Sequence, residues 1–278
     1  MSSIDYDVND SVRVMNGPFE NFTAAAALAK GAILFKETDQ VFSDWCKRIA
    51  IEDFDFARVG YEQGIYTKRW GPNVDSQVAG HGALASCELY QLTNNDIYIT
   101  YAKKYAQIVL SCQERVGLGK EKLRGFFYED PKHEYILTYE HRGHEQSPVQ
   151  GLTKLMEVAP NDDDYQSWLE GVKLYREYIL NTINDTRPYR LLPGHLYVLD
   201  KLNMERFTVP PSYGTKPEAL IKLRKQASTG RKIDDNAYMR IFPISIQRKG
   251  YHATLLSKTK AVSSIASVLN DEELKQIA

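Results

Sequence analysis

Apolar residues recur at helical spacing along three stretches of the chain, and each stretch predicts an amphipathic helix. These stretches cover residues 41–49, 97–112 and 165–179. Before each of them lies another helical stretch that is richer in small residues, at 24–35, 78–92 and 149–158. Two helices joined by a short connection form a helical hairpin, so the pattern predicts at least three hairpins in succession.

The hairpin is a repeat. A shift of 56 residues superimposes the first copy on the second without a gap and pairs Phe42 with Tyr98. A shift of 67 residues pairs Tyr101 of the second copy with Trp168 of the third. A fourth copy begins at about residue 252 and stops at the end of the sequence. This spacing exceeds the roughly 34–47 residues of common helical solenoids, so a regular solenoid is not favoured.

The repeat favours an all-α toroid in which the small-residue helices lie inside and long loops between hairpins form a cleft at one end. Two segments depart from the helical pattern. The aromatic-rich stretch at 123–139 permits a small β-hairpin, and prolines interrupt residues 187–242, where one helix is expected at 216–228. That second segment is a candidate lid or cleft wall. We expect residues 1–278 to form one toroid-like domain, as part of a longer domain.

Charge and composition exclude several classes of partner. The chain has 35 Lys and Arg against 36 Asp and Glu, so no global field attracts nucleic acid. No apolar run is long enough to cross a membrane, and no export signal begins the sequence, so a cytoplasmic location is expected for the chain as written. The three cysteines lack close metal-type spacing and are expected to be buried thiols. Composition does not indicate an oligomeric state.

Aromatic residues are abundant, with 18 Tyr, 10 Phe and 3 Trp. Sugar-binding clefts use such rings because the apolar face of a pyranose stacks on them while its hydroxyls bond to polar neighbours. The competing interpretation is that most of the rings fill the core. An oligosaccharide or polysaccharide is therefore one candidate ligand.

A polar cluster precedes the small-residue helix of the third hairpin. Because loop residues face the cleft in a toroid, its side chains are candidates for sugar contact: Tyr139, His141, Arg142 and His144. Glu140 and Glu145 are candidate catalytic carboxylates. The histidines lack the four-residue spacing of a helical zinc site, so neither a metal nor another cofactor is expected. Alternatively, Arg142 pairs with a glutamate and only fixes the loop.

The equivalent positions of the other repeats supply further candidates. Trp70 and Asp75 precede the second small-residue helix, His81 lies within it, and Tyr251 and His252 precede the fourth. Asp75 is also a third candidate catalytic carboxylate, with the cap of a helix N-terminus as its alternative role. We predict that these loops gather at one end of the molecule.

Two stretches resemble one known enzyme family. Residues 23–35 read Thr-Ala-Ala-Ala-Ala-Leu-Ala-Lys-Gly-Ala-Ile-Leu-Phe, and residues 82–98 read Gly-Ala-Leu-Ala-Ser-Cys-Glu-Leu-Tyr-Gln-Leu-Thr-Asn-Asn-Asp-Ile-Tyr. With the fourth copy they resemble the central and later hairpins of the cellulase-like family 9 glycoside hydrolases, over about 200 of the 278 residues. The resemblance implies a six-hairpin (α/α)6 barrel and hydrolysis of O-glycosidic bonds in a polysaccharide.

The sequence departs from the family at the catalytic centre. The resemblance implies an inverting pair, in which an aspartate activates water and a glutamic acid protonates the leaving oxygen. The upstream Asp-Ala-Gly-Asp motif is absent, and the family's acid would follow the last residue of this chain. The catalytic residues therefore stay unknown. Two interpretations are open: a glycoside hydrolase-like domain that is an incomplete copy, or a non-catalytic domain that binds carbohydrate or another partner.

Overall fold

The computed structural model describes residues 17–64, 74–137, 146–184, 188, 195–202, 214–241 and 259–277. Helices dominate these segments. In chain order the elements are α1 (Pro18–Phe35), α2 (Gln40–Gln63), α3 (Asp75–Thr93), α4 (Ile97–Ser111), α5 (Ser147–Val158), α6 (Tyr165–Ile183), β1 (His195–Val198), α7 (Lys216–Ala227), β2 (Arg231–Asp234), β3 (Ala237–Arg240), α8 (Thr259–Leu269) and α9 (Glu272–Ile277).

Helices α1 to α6 form three antiparallel hairpins, and α8 begins a fourth. The inner helices α1, α3, α5 and α8 pack side by side in that order, while α2, α4 and α6 form an outer layer. The inner helices run parallel, because α1 approaches α3 both at Phe19 with His81 and at Lys30 with Glu88. This arrangement confirms the predicted all-helical array of toroid type.

Small residues allow the inner helices to approach closely. A Cβ atom on Gly80 of α3 would lie 2.3 Å from the backbone carbonyl carbon of Ser147 at the start of α5. A Cβ on Gly151 of α5 would lie 2.7 Å from the carbonyl oxygen of Gly80. Any larger residue at these positions would push the two helices apart, so the glycines set the distance between the second and third hairpins.

Aromatic side chains fill the space between the inner and outer layers. The ring of Phe22 on α1 lies 5.5 Å from that of Phe54 on α2 and 5.3 Å from that of Tyr105 on α4, and all three side chains are fully buried. Burial of this apolar area stabilises the two-layer packing. Core packing therefore accounts for much of the aromatic content. This was the second interpretation of the composition, in which most of the rings fill the core.

The segment between α4 and α5 is irregular. Instead of a regular β-hairpin near 123–139, its described part contains isolated antiparallel bridges, such as Tyr128 with Ile136. The carboxylate of Glu114 organises this segment by accepting hydrogen bonds from the amides of Val116 and Gly117 and from the hydroxyl of Tyr128, at 2.7 to 2.8 Å. These side-chain bonds add to scattered backbone hydrogen bonds, such as the one from the amide of Leu137 to the carbonyl of Phe127, which do not form a continuous ladder.

A three-stranded antiparallel sheet lies in the segment that prolines interrupt. Its strand order is β1-β3-β2, with Leu196 opposite Met239. Helix α7 matches the helix expected at 216–228, and Ala219, Leu223 and Ala227 pack with Tyr197 in a small second core. The sheet itself was not predicted from the sequence, which indicated little strand outside 123–139.

Candidate functional site

The inner helices enclose a groove of about 1150 Å³ on their shared face. Alanine, leucine and valine side chains form its apolar part, at positions such as Ala27 and Leu84. Every one of the four inner helices also contributes polar groups, which are Thr23, Lys30, His81, Glu88, Gln150, Thr153, Lys154, Glu157, Thr259, Lys260, Ser263, Ser264 and Ser267. A groove with apolar and hydrogen-bonding surfaces suits a ligand that has both.

The inner helices α3, α5 and α8 begin at one end of the groove. The Ser147 hydroxyl donates to the carbonyl of Gln77 at 3.0 Å, and the backbone amide of Ala261 donates to the side-chain oxygen of Gln146 at 2.9 Å. These bonds hold the starts of successive inner helices together. We name this end, defined by Asp75, Ser147 and Thr259, the mouth of the groove.

Most of the predicted site residues lie outside the described residues. They precede the helices that begin at the mouth, and they are Trp70, Tyr139, Glu140, His141, Arg142, His144, Glu145, Tyr251 and His252. Only the order of residues in the sequence links them to the helix starts at the mouth. The prediction that their side chains share one cleft stays a prediction.

His81 lies in the lining of the groove near the mouth. Its side chain is almost fully buried, with 7% of the residue exposed. The ring of Phe19 meets the imidazole edge-on at a centroid distance of 4.8 Å. The aromatic contact limits rotation of the imidazole and holds it between α1 and the groove.

Asp75 faces another direction. It occupies the first turn of α3, where Val74 is the N-cap, so the alternative role of Asp75 as a helix cap is wrong. Its Oδ1 accepts a hydrogen bond of 3.0 Å from the hydroxyl of Tyr61 at the end of α2. Six residues turn a helix through about 600°, which places Asp75 and His81 on different faces of α3. Asp75 is not among the residues that line the groove.

The surroundings of Asp75 alter its acidity. Burial raises the pKa of the Asp75 carboxyl, and the nearby Asp130 adds to that rise, whereas the hydrogen bond from Tyr61 and the charge of Lys132 oppose it. Burial and the carboxylate of Asp75 also raise the pKa of the Tyr61 phenol. A carboxyl group with a raised pKa is a better proton donor near neutral pH.

Sequence reasoning missed a charged cluster deeper in the groove. Glu88 of α3 lies between Lys30 of α1 and Lys154 of α5, whose Nζ atoms are 3.5 and 3.7 Å from its Oε1. Lys154 also pairs with Glu157, at 2.7 Å. A single glutamate in a helix of small residues gives little signal, because its neighbours come from two other hairpins.

Other site chemistries find no support in the described part of the chain. Those residues contain no group of three or more His, Cys, Asp or Glu side chains arranged to hold a metal ion. Cys46, Cys87 and Cys112 are buried free thiols, as predicted. Burial raises the pKa of the Cys87 thiol and raises that of Cys112 to about 12, so neither is a ready nucleophile.

None of the described helices is long and apolar enough to cross a membrane.

Parallel inner helices along a groove, of which α1, α3 and α5 are backed by outer helices, define the helical-hairpin toroid class. The model of the family described as Glycosyl hydrolase family 9 matches residues 19–208, and the chain belongs to this family. No curated protein and no solved structure matches the chain. It is thus a glycoside hydrolase-like, carbohydrate-active domain, and the family acts on polysaccharides.

Proposed function

We propose that the chain binds a polysaccharide at the mouth and along the groove. The observation that carries the proposal is the lining of the groove in a family 9 domain, where hydroxyl, amide, imidazole and charged groups lie beside apolar side chains. A pyranose ring offers apolar C–H faces and a rim of hydroxyls, so it complements such a surface. His81 and Gln150 are the proposed contacts nearest the mouth.

The segments that precede the inner helices in the sequence would extend this proposed binding site. Trp70, Tyr139 and Tyr251 would supply rings for stacking, while His141, Arg142, His144 and His252 would bond to hydroxyls. Asp75 is not among these proposed contacts, because it bonds to Tyr61 and does not line the groove. What supports this extension is that each of these segments precedes an inner helix in the sequence.

Hydrolysis by this chain is proposed to be slow or absent. The Asp-Ala-Gly-Asp motif that resemblance to the family implies is missing from the sequence. General acid and general base assistance each supply about 10²- to 10⁴-fold in rate, so their loss leaves binding intact and removes most turnover. Glu140, Glu145 and Asp75 are the carboxyl groups of this chain that would replace the pair if turnover is found.

Binding is tested with a panel of soluble oligosaccharides and isothermal titration calorimetry. We expect Gln150→Ala and His81→Asn to weaken binding about three- to tenfold each, the equivalent of one hydrogen bond. Gln91→Ala is the matched control, because Gln91 lies on α3 but is exposed and outside the groove lining. Equal affinities for all four proteins would reject the groove as the binding site.

Turnover is tested with the same panel, using release of reducing ends. We expect a rate at the background level for the wild type and for Glu140→Gln, Glu145→Gln and Asp75→Asn. Trp70→Ala should weaken binding without any effect on the rate. Robust turnover that one of the three carboxyl substitutions abolishes would instead identify an active hydrolase and its catalytic group.

A further inference from the structure

Glu88 is a buried carboxylate with an unused acceptor. The side chain is 7% exposed, and its Oε2 makes no hydrogen bond to any residue that the structure describes. Its other oxygen, Oε1, lies 3.5 and 3.7 Å from the two lysine ammonium groups, which is longer than the 2.7 to 2.9 Å of a strong charge-assisted bond. A buried acceptor without a partner is costly, so this site gains stability when a donor arrives.

This carboxylate lies at the wall of the groove. Glu88, Lys30, Lys154 and Glu157 all line it, and the neighbouring surface carries Thr153 and the hydroxyl of Ser267 on α8. Lys30 is more than half exposed, with 57% of its side chain accessible, so its ammonium group can move to meet a ligand. The terminal torsion of a glutamate is broad, so rotation of the carboxylate turns either oxygen toward the groove at little cost.

The chemistry of the cluster selects a neutral polyhydroxylated ligand. Each hydroxyl of a sugar both donates and accepts, so adjacent hydroxyls can donate to the carboxylate of Glu88 and accept from Lys30 or Lys154. An anion would meet repulsion from Glu88 and Glu157, and a cation would meet repulsion from the two lysines. The alternation of charge therefore disfavours both kinds of ion.

We propose that Glu88, Lys30 and Lys154 form an inner saccharide subsite within the groove. The proposal rests on the function proposed above and adds a second point of contact to it. Glu88 lies two helical turns beyond His81, which is about 10 Å along α3. Asp75 at the mouth lies 13 residues before Glu88, about 20 Å along α3, so a ligand that reaches from the mouth to the inner subsite must be longer than a disaccharide.

The test compares affinities for cellobiose and cellohexaose in the wild type and in Glu88→Gln, measured by calorimetry on the full chain. We expect Glu88→Gln to weaken cellohexaose binding about tenfold and cellobiose binding less than twofold. Glu62→Gln is the matched control, because Glu62 pairs with Lys104 at 2.7 Å on the outer helices, away from the groove. This control should bind both sugars as the wild type does.

A second variant covers the case in which Glu88→Gln does not fold. Lys30→Ala removes an exposed groove side chain, so the fold should persist, and cellohexaose binding should again weaken. Unchanged cellohexaose affinity in the folded Glu88 variant, or in Lys30→Ala if that is the one that folds, would overturn the inner subsite. So would a gain of inorganic phosphate binding in Glu88→Gln with cellohexaose binding unaltered, since that marks an anion site.

The same measurements separate this proposal from the proposed function. If Gln150→Ala and His81→Asn weaken binding while Glu88→Gln and Lys30→Ala do not, the mouth binds sugar and only the inner subsite fails. If the wild type binds neither sugar, both proposals fail together. A loss of thermal stability in Glu88→Gln with wild-type affinity would assign the cluster a structural role and overturn the subsite.

Discussion

The hydroxyl of Tyr61 donates a 3.0 Å hydrogen bond to Oδ1 of Asp75 and so joins the last turn of α2 to the first turn of α3. This bond links the outer helix of the first hairpin to the inner helix of the second. It also satisfies a half-buried carboxylate at the mouth. The pair therefore couples the packing of the hairpins to the ionisation of one group.

Tyr61→Phe should destabilise the fold at pH 7 by about 1–3 kcal/mol, the cost of a buried polar group that loses its partner. Without the donor, the pKa of Asp75 should rise further above its ordinary value. The free energy of unfolding from urea titration at pH 7 measures the loss. Tyr165→Phe is the control, because its hydroxyl bonds to none of the described residues, and a loss equal to that of Tyr61→Phe would contradict the role of the bond.

The raised pKa of Asp75 predicts the sign of a pH dependence. A carboxyl whose pKa is higher in the folded state favours folding most at pH values below its unfolded pKa, about 4. That contribution is lost as the pH rises through the folded pKa. Asp75→Asn does not ionise, so its free energy of unfolding relative to that of the wild type should increase between pH 4 and pH 7. A relative stability that is constant or falls over this range would contradict the shift.

Two glycine substitutions should have opposite effects. Gly80→Ala places a Cβ 2.3 Å from the backbone of Ser147, so α3 and α5 must separate, and we expect a loss of at least about 2 kcal/mol. Gly31→Ala places a Cβ 3.6 Å from the sulfur of Cys46, which is an ordinary contact, and alanine favours a helix by up to about 1 kcal/mol. Thermal melts of both variants give the comparison. Equal changes in the melting temperature would argue against close packing of α3 and α5.

Glu114→Gln should loosen the segment between α4 and α5. Burial alone would raise the pKa of Glu114, but the bonds from Gly117, Tyr128 and Val116 outweigh it and lower the pKa. The stabilisation is therefore present above the unfolded pKa of about 4.3 and is lost as the pH falls through the folded value. We expect a loss of about 1–3 kcal/mol at pH 7 that shrinks in acid.

Urea titrations at pH 7 and pH 3.5 check this loss. Glu121→Gln provides the comparison, since Glu121 forms a partly exposed surface pair with Arg231, and such pairs contribute little. A destabilisation by Glu114→Gln that is the same at both pH values would show that the charge of Glu114 is not what holds the segment.

The hairpins could be predicted because apolar positions repeat at helical spacing and the repeat itself recurs. The sheet was missed because prolines at 187–242 conceal short strands. The signal that was present is Asp235-Asn236 between β2 and β3, a turn dipeptide flanked by Ile233 and Ala237, both buried. Four-residue strands give too few positions for alternation to stand out.

The candidate site was only partly predictable. His81 was identified because it interrupts a helix of small residues, and the structure places it in the groove lining. The direction of Asp75 depends on whether α3 begins one residue earlier or later, and sequence does not fix a helix start that closely. The role of Glu88 could not be predicted because it depends on contacts between three hairpins. Its partners Lys30 and Lys154 lie 58 and 66 positions away in the sequence, on α1 and α5.

The parallel inner helices have an electrostatic consequence at the mouth. Each helix carries a macrodipole equal to about half a positive charge at its N-terminus. Where α3, α5 and α8 begin together, these partial charges converge on one small region, and the C-terminal turn of α2 borders it on the outer side, where Tyr61 bonds to Asp75. A carboxylate that reached the groove side of this region would be favoured in its ionised form, the form a group needs to accept a proton.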